Sequence, residues 1–366
     1  MIDGDVLLIV AISARALAQS ARRARLTPVA IDAFGDEDAR GACAEFIAAP
    51  DAGQGFARVD IEALVAPLVR TFAPKGVVYG SGFDDCPGQL RLLARHGPLL
   101  GASPSTVATA KDPVRFAKLC AQAGLRHPEI AMVRPSGPEE WLLKRAGGCG
   151  GLHIRDGLAR AGSNAYWQRR AGGKAVSLLF TRDETGLAPL AWSEQWTAPT
   201  PSAPYRYGGA AGPLEPRRSL QVPAGLADLA TALDLRGLAS ADFLDDGENL
   251  WLLEINPRPG ATLDVFDDDA DPLIQRHLSA VAGRAATAPI LKPPKAAAVV
   301  YAKRRLIAPD QPWPEWVSDR PTPGIAVPDG APLCTIHAEG ETIAGAKTLL
   351  SERTRRIHEF AERFAA

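Results

Sequence analysis

Glu254, Asn256 and Arg258 alternate along a short apolar run, Trp251-Leu-Leu-Glu254-Ile-Asn256-Pro-Arg258-Pro-Gly260. In an extended strand, residues two apart face the same side. Glu254 and Asn256 are therefore expected to aim two oxygen donors at one place, while Leu253 and Ile255 pack the other face. The preceding run, Ser240-Ala-Asp242-Phe-Leu244, supplies a second carboxylate. A three-residue hairpin loop at 247–249 would set Asp242 opposite Glu254 on the same face. Two carboxylates that close repel unless a cation sits between them. Hard oxygen donors suit Mg²⁺, with Mn²⁺ as the substitute, sharing its shell with water and phosphate oxygens. A bare Glu-x-Asn is usually a half-buried hairpin with its acid in water. Asp242 in register and Arg258 just past the strand favour the metal set Asp242, Glu254 and Asn256.

A second group of residues suits phosphate. Leu142-Leu-Lys144 runs into Gly147-Gly-Cys-Gly-Gly151. A lysine ending a strand is a point charge for phosphate, and glycines let backbone N–H groups approach phosphate oxygens. The glycines that matter are Gly147, Gly148, Gly150 and Gly151. Glycine turns between strands are common, so this run only supports the first signal. No Gly-Lys-Ser/Thr follows it, and its strand–loop–strand setting excludes a dinucleotide fingerprint. Lys111, in Ala110-Lys-Asp-Pro113, stands ahead of a helix; taken alone it reads as a solvated lysine.

Elements must position these groups. Segments 6–12, 13–24 and 26–32 read strand–helix–strand, the start of an open α/β sheet. Residues 59–72 read as an amphipathic helix, 76–79 as a strand, 90–96 as a helix and 99–102 as a last small strand. Residues 1–103 thus form an N-terminal α/β lobe. The texture then changes. A helix over 112–124 ends at Gly124, and strands are expected at 141–144, 152–156, 165–170, 175–181 and 187–196. Residues 199–216 read as a long loop. A helix at 226–233 and strands at 239–244 and 250–255 complete a second unit, 104–288, of two α+β lobes. Residues 289–366 read as a small C-terminal α+β segment packed on that core.

Composition bounds the partners. The chain has 366 residues, too many for one ordinary core. Hydrophobic residues are 46% and charged residues 23%, with a formal net charge of −1, so no global basic field recruits nucleic acid or anionic lipid. Five cysteines, an odd number with no CxxC pair, argue against a disulfide framework and structural zinc and for reduced thiols in a cytoplasmic protein. The apolar start follows Asp3 and Asp5, which fits a first strand and not a secretion signal. No apolar stretch reaches membrane-spanning length.

Taken in order, Lys111, Gly124, Lys144, the glycines 147–151, Gln168-Arg-Arg170, Asp242 and Glu254-Ile-Asn256 resemble the ATP-grasp superfamily over residues 103–285. The resemblance implies an ATP-grasp fold, α/β and α+β, preceded by an open α/β pre-ATP-grasp lobe. It implies that Lys111 and Lys144 hold the α- and β-phosphates of ATP, and that Gln168, Arg169 and Arg170 border the adenine. Asp242, Glu254 and Asn256 would hold Mg²⁺, and the glycines would close over the phosphates. Lys144 and Arg258 would stabilise charge while a carboxylate, activated as an acyl phosphate, is joined to an amine with release of ADP. Two positions depart from many relatives: Lys144 precedes Arg145 where they have proline, and Gln168 precedes Arg169 where they have glutamate.

Within the superfamily the chain is similar to tyramine–glutamate ligase-like proteins of methanofuran- and methylofuran-type cofactor synthesis, on Ser13-Ala-Arg-Ala-Leu17 and Gly330-Ala-Pro-Leu-Cys334. That implies a glutamate-like carboxylate and an amine, with Tyr205, Tyr207 and Arg217 as substrate candidates, and a homodimer as one assembly. A solvated loop explains 205–218 equally well. An ATP-grasp carboxylase and a non-catalytic nucleotide-binding protein are the alternatives.

Overall fold

The computed structural model describes residues 5–215, 220–284 and 288–364. Strand β1 (Val6–Ala11) is apolar and buried, as a strand covered on both faces must be. It is followed by α1 (Arg15–Arg23), β2 (Thr27–Asp32), α2 (Glu37–Ala42), β3 (Glu45–Ala48), α3 (Ile61–Phe72) and β4 (Val77–Tyr79). The four strands are parallel in the order β3-β2-β1-β4. The order reverses between β1 and β4, and ligands of such sheets bind outside the strand ends at that crevice. The loop from Gly80 to Asp85 leaves β4 there. Residues 99–102 make one bridge, Leu99 to Val77, and no strand, because Gly97, Pro98 and Gly101 break the run.

Helix α4 (Pro87–Leu93) leads to α5 (Pro104–Lys111) and α6 (Pro113–Gln122). Ser103 caps α5 through the Thr106 N–H, and Asp112 caps α6 through Val114 and Arg115. Pro113 keeps Asp112 out of the helical region, so the two helices break there. Lys111, expected ahead of a helix, therefore also ends a helix of its own.

A small antiparallel sheet follows: β5 (Ile130–Ala131), β6 (Trp141–Arg145), β7 (Arg155–Asp156) and β8 (Ala165–Arg169), in the order β5-β8-β6-β7. Trp141, Leu143 and Trp167 form a core on one face. Lys144 pairs with Tyr166 and Leu142 with Gln168, so these side chains share the opposite face. The expected strand over 152–156 shrinks to two residues, because Gly150 and Gly151 carry positive φ of 62° and 71° and turn the chain.

The central sheet is built from β9 (Lys174–Arg182), β10 (Leu187–Thr197) and β11 (Tyr207–Gly212). After α7 (Gly225–Ala232) it continues with β12 (Gly237–Asp245) and β13 (Leu250–Asn256). Helices α8 (Leu263–Phe266) and α9 (Leu273–Val281) precede β14 (Lys295–Tyr301). Next come β15 (Leu306–Ile307), β16 (Val317–Ser318), β17 (Ala326–Val327), β18 (Pro332–Glu339) and α10 (Ile343–Glu362). Eight strands lie in the order β13-β12-β9-β10-β11-β14-β18-β16, so the C-terminal strands extend the sheet of the middle lobe.

Strand β11 corrects the expected 199–216 loop. Its Gly-Gly-Ala-Ala-Gly sequence has little strand propensity, but the small residues admit neighbours. A β-carbon at Gly209 would lie 2.5 Å from the Trp196 ring, and one at Gly212 2.7 Å from Phe266. Among the described residues no helix is long and apolar enough to cross a membrane.

Candidate active site

Strands β12 and β13 pair with Asp242 opposite Glu254. The route differs from a three-residue loop. Asp245 pairs with Leu250, so the turn holds four residues, 246–249, and Asp246 caps it through the Glu248 and Asn249 N–H groups. A bulge then leaves Leu253 unpaired and restores the register. The bulge also changes the apolar face: Leu252 and Ile255 are fully buried and Leu253 is not, correcting the expected Leu253–Ile255 pair.

Four elements meet at this hairpin. The Lys111 ammonium, at the end of α5, donates to Glu254 Oε2 and Asn256 Oδ1, each at 2.9 Å. Asn256 Nδ2 donates to Asp242 Oδ2 at 2.9 Å, and Ser177 of β9 donates to Asp242 Oδ1 at 2.6 Å. Arg258 reaches Asp84 Oδ2 through Nη2 at 3.2 Å and Nε at 3.3 Å. Asp84 Oδ1 lies 3.4 Å from Lys111 Nζ, close enough for an ion pair but without hydrogen-bond geometry. Glu254 alone is open, its side chain 40% exposed, while those of Lys111, Asp84 and Arg258 are 6%, 3% and 9% exposed.

Burial and charge compete at each group. Burial would raise Asp84 and Glu254, but Arg258 and Lys111 at the first, and Lys111 at the second, hold both below the usual carboxylate range. Burial would lower Lys111, yet Glu254 and Asp84 raise it. Asp242 lacks such a partner; burial and then Glu254 push it to about 6. Burial also lowers Lys144, with Lys111 adding to the effect and Glu254 opposing it. Among the described residues no carboxylate lies within ion-pair distance of Lys144.

The glycine run packs against two other parts of the chain. A β-carbon on Gly147 would meet the Asp84 carbonyl oxygen at 2.5 Å, and one on Gly151 the Tyr205 carbonyl oxygen at 1.8 Å. The Tyr207 N–H donates to the Gly150 carbonyl. Arg145, next after Lys144, pairs with Asp85 at 2.9 Å and links this strand to the N-terminal lobe. The His153 ring covers Gly148, and burial, chiefly, lowers it to about 4.

Not every expected residue joins this set. Gln168 shares the Lys144 face and its amide lies 3.5 Å from His127. Arg169, expected beside the adenine with Gln168, points to the other face, over the Trp141 ring and against Glu129 and Glu140. Arg170 is held by Asp156, the Glu139 carbonyl and the Tyr205 hydroxyl. Tyr205 is therefore tied to Arg170, while Tyr207 is raised by burial and by Asp264 and Asp242 nearby. Arg217 lies outside the described residues. Asp84 was not anticipated: it sits in a glycine-containing loop with an adjacent acid, Asp85, and no spacing ties it to residues 111 or 258.

Residues 110–262 match the ATP-grasp domain family. The fold is the ATP-grasp fold. Solved structures similar to the whole chain agree on the fold. N5-carboxyaminoimidazole ribonucleotide synthetase from Thermus thermophilus is 20% identical, with a TM-score of 0.67 over 95% of this chain and 98% of that one. The synthetase from Thermotoga maritima is 14% identical, with a TM-score of 0.66 over 97% and 98%. A biotin carboxylase from Campylobacter jejuni, in a β-γ-ATP complex, is 13% identical, with a TM-score of 0.67 over 91% and 87%. No curated protein matches the sequence significantly. The N-terminal lobe thus supplies Asp84 to Lys111 and Arg258 of the matched stretch.

The donor set fits a divalent cation. Glu254 Oε2 and Asn256 Oδ1 already converge on one positive centre, the Lys111 ammonium. Among the described residues no three His, Cys, Asp or Glu side chains gather as a self-sufficient metal cluster. Two carboxylates and an amide suit an ion that completes its shell with phosphate and water.

Proposed function

We propose that this chain is an ADP-forming, ATP-dependent ligase that joins a carboxylate to an amine through an acyl phosphate. The observation that carries the reading is the convergence of Lys111, Asp242, Glu254 and Asn256 within one hydrogen-bonded set, to which Asp84 joins Arg258 by ion pairs, with Lys144 in its field. Phosphoryl transfer needs chiefly positioning and neutralisation of charge. Lys144, without a carboxylate partner, is free to take a phosphate oxygen. Glu254 and Asn256, with Asp242 behind them, would hold Mg²⁺, which neutralises phosphate charge when bound. Arg258, aimed by Asp84, would steady the substrate carboxylate and the acyl phosphate formed from it. The glycine run and His153 would shield that phosphate from water.

The finer reading, a glutamate-like acid joined to an amine in one-carbon cofactor synthesis, rests on the similarity to tyramine–glutamate ligase-like proteins and on Tyr207 near Asp242 and Asp264. A cytoplasmic protein acting on small molecules fits the reduced cysteines. A second reading shares the chemistry and changes the acid. The solved structures similar to this chain end to end are named as N5-carboxyaminoimidazole ribonucleotide synthetases, which favours a carboxylated amine as product.

An ADP-release screen decides. Amino acids, glutamate first, are crossed with aromatic and aliphatic amines and, in separate wells, with bicarbonate. Release that needs an amino acid and an amine supports the ligase. Release that needs bicarbonate supports the carboxylating reading. Tight ATP binding with no release under any pair removes both.

A further inference from the structure

We propose that Lys111 is a resident counter-ion, whose ammonium holds the place between Glu254 and Asn256 until a triphosphate draws it away and a divalent cation takes that place. The inference rests on the reading that Glu254 and Asn256 hold Mg²⁺.

Three observations carry it. Lys111 Nζ is 2.9 Å from Glu254 Oε2 and 2.9 Å from Asn256 Oδ1, so one cation already satisfies both donors. Magnesium needs oxygens at about 2.0–2.1 Å. A magnesium ion on these oxygens would lie roughly 0.8 Å closer to each than the ammonium does, so the two cations cannot share the place. The Lys111 side chain is only 6% exposed, and its remaining neighbour, the buried Asp84, is 3.4 Å away, so an ammonium that leaves takes a counter-charge from both Glu254 and Asp84. That loss is costly unless another cation takes the place the ammonium leaves.

Lys144 behaves differently. It has no carboxylate within ion-pair distance among the described residues, and its charge is available at once. An arriving triphosphate would meet Lys144 first. Lys111 would then exchange Glu254 and Asn256 for phosphate oxygens, and the freed donors would accept the metal. Metal and nucleotide loading are thereby coupled through one side chain. A merely structural Lys111–Glu254 pair would tie α5 to β13 but would leave metal affinity unaffected by nucleotide.

The test reads Mn²⁺ binding to nucleotide-free protein by electron paramagnetic resonance and calorimetry, for wild type, Lys111→Met, Lys111→Gln, Lys111→Arg and Glu254→Gln. Melting curves confirm that each variant is folded. Lys111→Met and Lys111→Gln should bind Mn²⁺ at least about tenfold more tightly than wild type, since a cation no longer competes for the same oxygens. Lys111→Arg, which keeps the charge, should not gain. With a non-hydrolysable ATP analogue present, the advantage of the neutral variants should shrink. Equal Mn²⁺ affinity in wild type and both neutral variants, while Glu254→Gln still lowers it, overturns the counter-ion role and leaves the metal site standing. If Glu254→Gln leaves Mn²⁺ affinity unchanged with and without nucleotide, the metal-site reading fails, and this inference with it.

Discussion

Asp242 and Glu254 face each other because one extra residue in the strand, Leu253, cancels one extra residue in the turn. The carboxylate pair is thus set by a bulge and not by the hairpin alone. Glu254→Gln should lower ADP formation by at least about 100-fold, the scale seen when one preorganised charge-stabilising group is lost. Steady-state turnover and a thermal melt check it. Turnover within a few-fold of wild type would remove Glu254 from the chemistry.

The glycine run gives a second expectation. Alanine at Gly148 would place its β-carbon 2.1 Å from the His153 ring, and Gly150 sits at a φ of 62° that alanine resists. The Gly148→Ala/Gly150→Ala double variant should form ADP at least about tenfold more slowly, with ATP affinity changed less than about threefold, because closure matters most at the transition state. Rates and nucleotide affinity are measured on the same preparation. Equal losses in both would make these glycines a binding feature only.

Stability depends on a different junction. Arg15 of the N-terminal lobe is 3% exposed and pairs with Asp264 at 2.5 Å and Asp319 at 2.8 Å. Removing it strands two carboxylates, so Arg15→Ala should cost about 3–5 kcal/mol. Denaturant melts at pH 7 read this directly. A cost below about 1 kcal/mol would class the pair with exposed surface bridges.

Asp36 should make stability depend on pH. Burial, then Asp319 and Asp32, push its carboxyl to about 8, and its Oδ2 is buried without a partner. An unfolded aspartate ionises near about 3.9. Between those values the folded state holds a proton that the unfolded state has released, so stability falls as pH rises from about 4 to 8. Asp36→Asn keeps an oxygen for the Ala39 N–H and removes the titration. Its stability relative to wild type should climb across that window and level off above it. A difference that stays flat with pH would show that Asp36 ionises normally.

Much of this was legible in residue order. The first strand–helix–strand unit and the shared Glu254–Asn256 face follow from local periodicity and spacing, whereas Asp242 comes opposite Glu254 only because the bulge at Leu253 offsets a longer turn. Arg169 was misplaced because a Gln-Arg-Arg run does not say which of its members faces inward; pairing opposite Trp141 decides it. Strand β11 was hidden because its glycines and alanines fit a strand only when Trp196 and Phe266 supply the missing bulk. Asp84 was invisible because its partners lie in another lobe, and long-range ion pairs leave no local pattern.

The shared central sheet has a consequence for how this chain can be divided. Strand β14 covers one side of β11 along Gly209 to Gly212. A fragment stopping before residue 289 would keep Lys111, Lys144 and the glycine run yet bare the N–H and C=O groups of β11. Such an edge, glycine and alanine from Gly208 to Gly212, invites pairing with a second copy. Shortened versions should therefore gather into aggregates before they lose any nucleotide contact, and solubility would limit how far the protein can be trimmed.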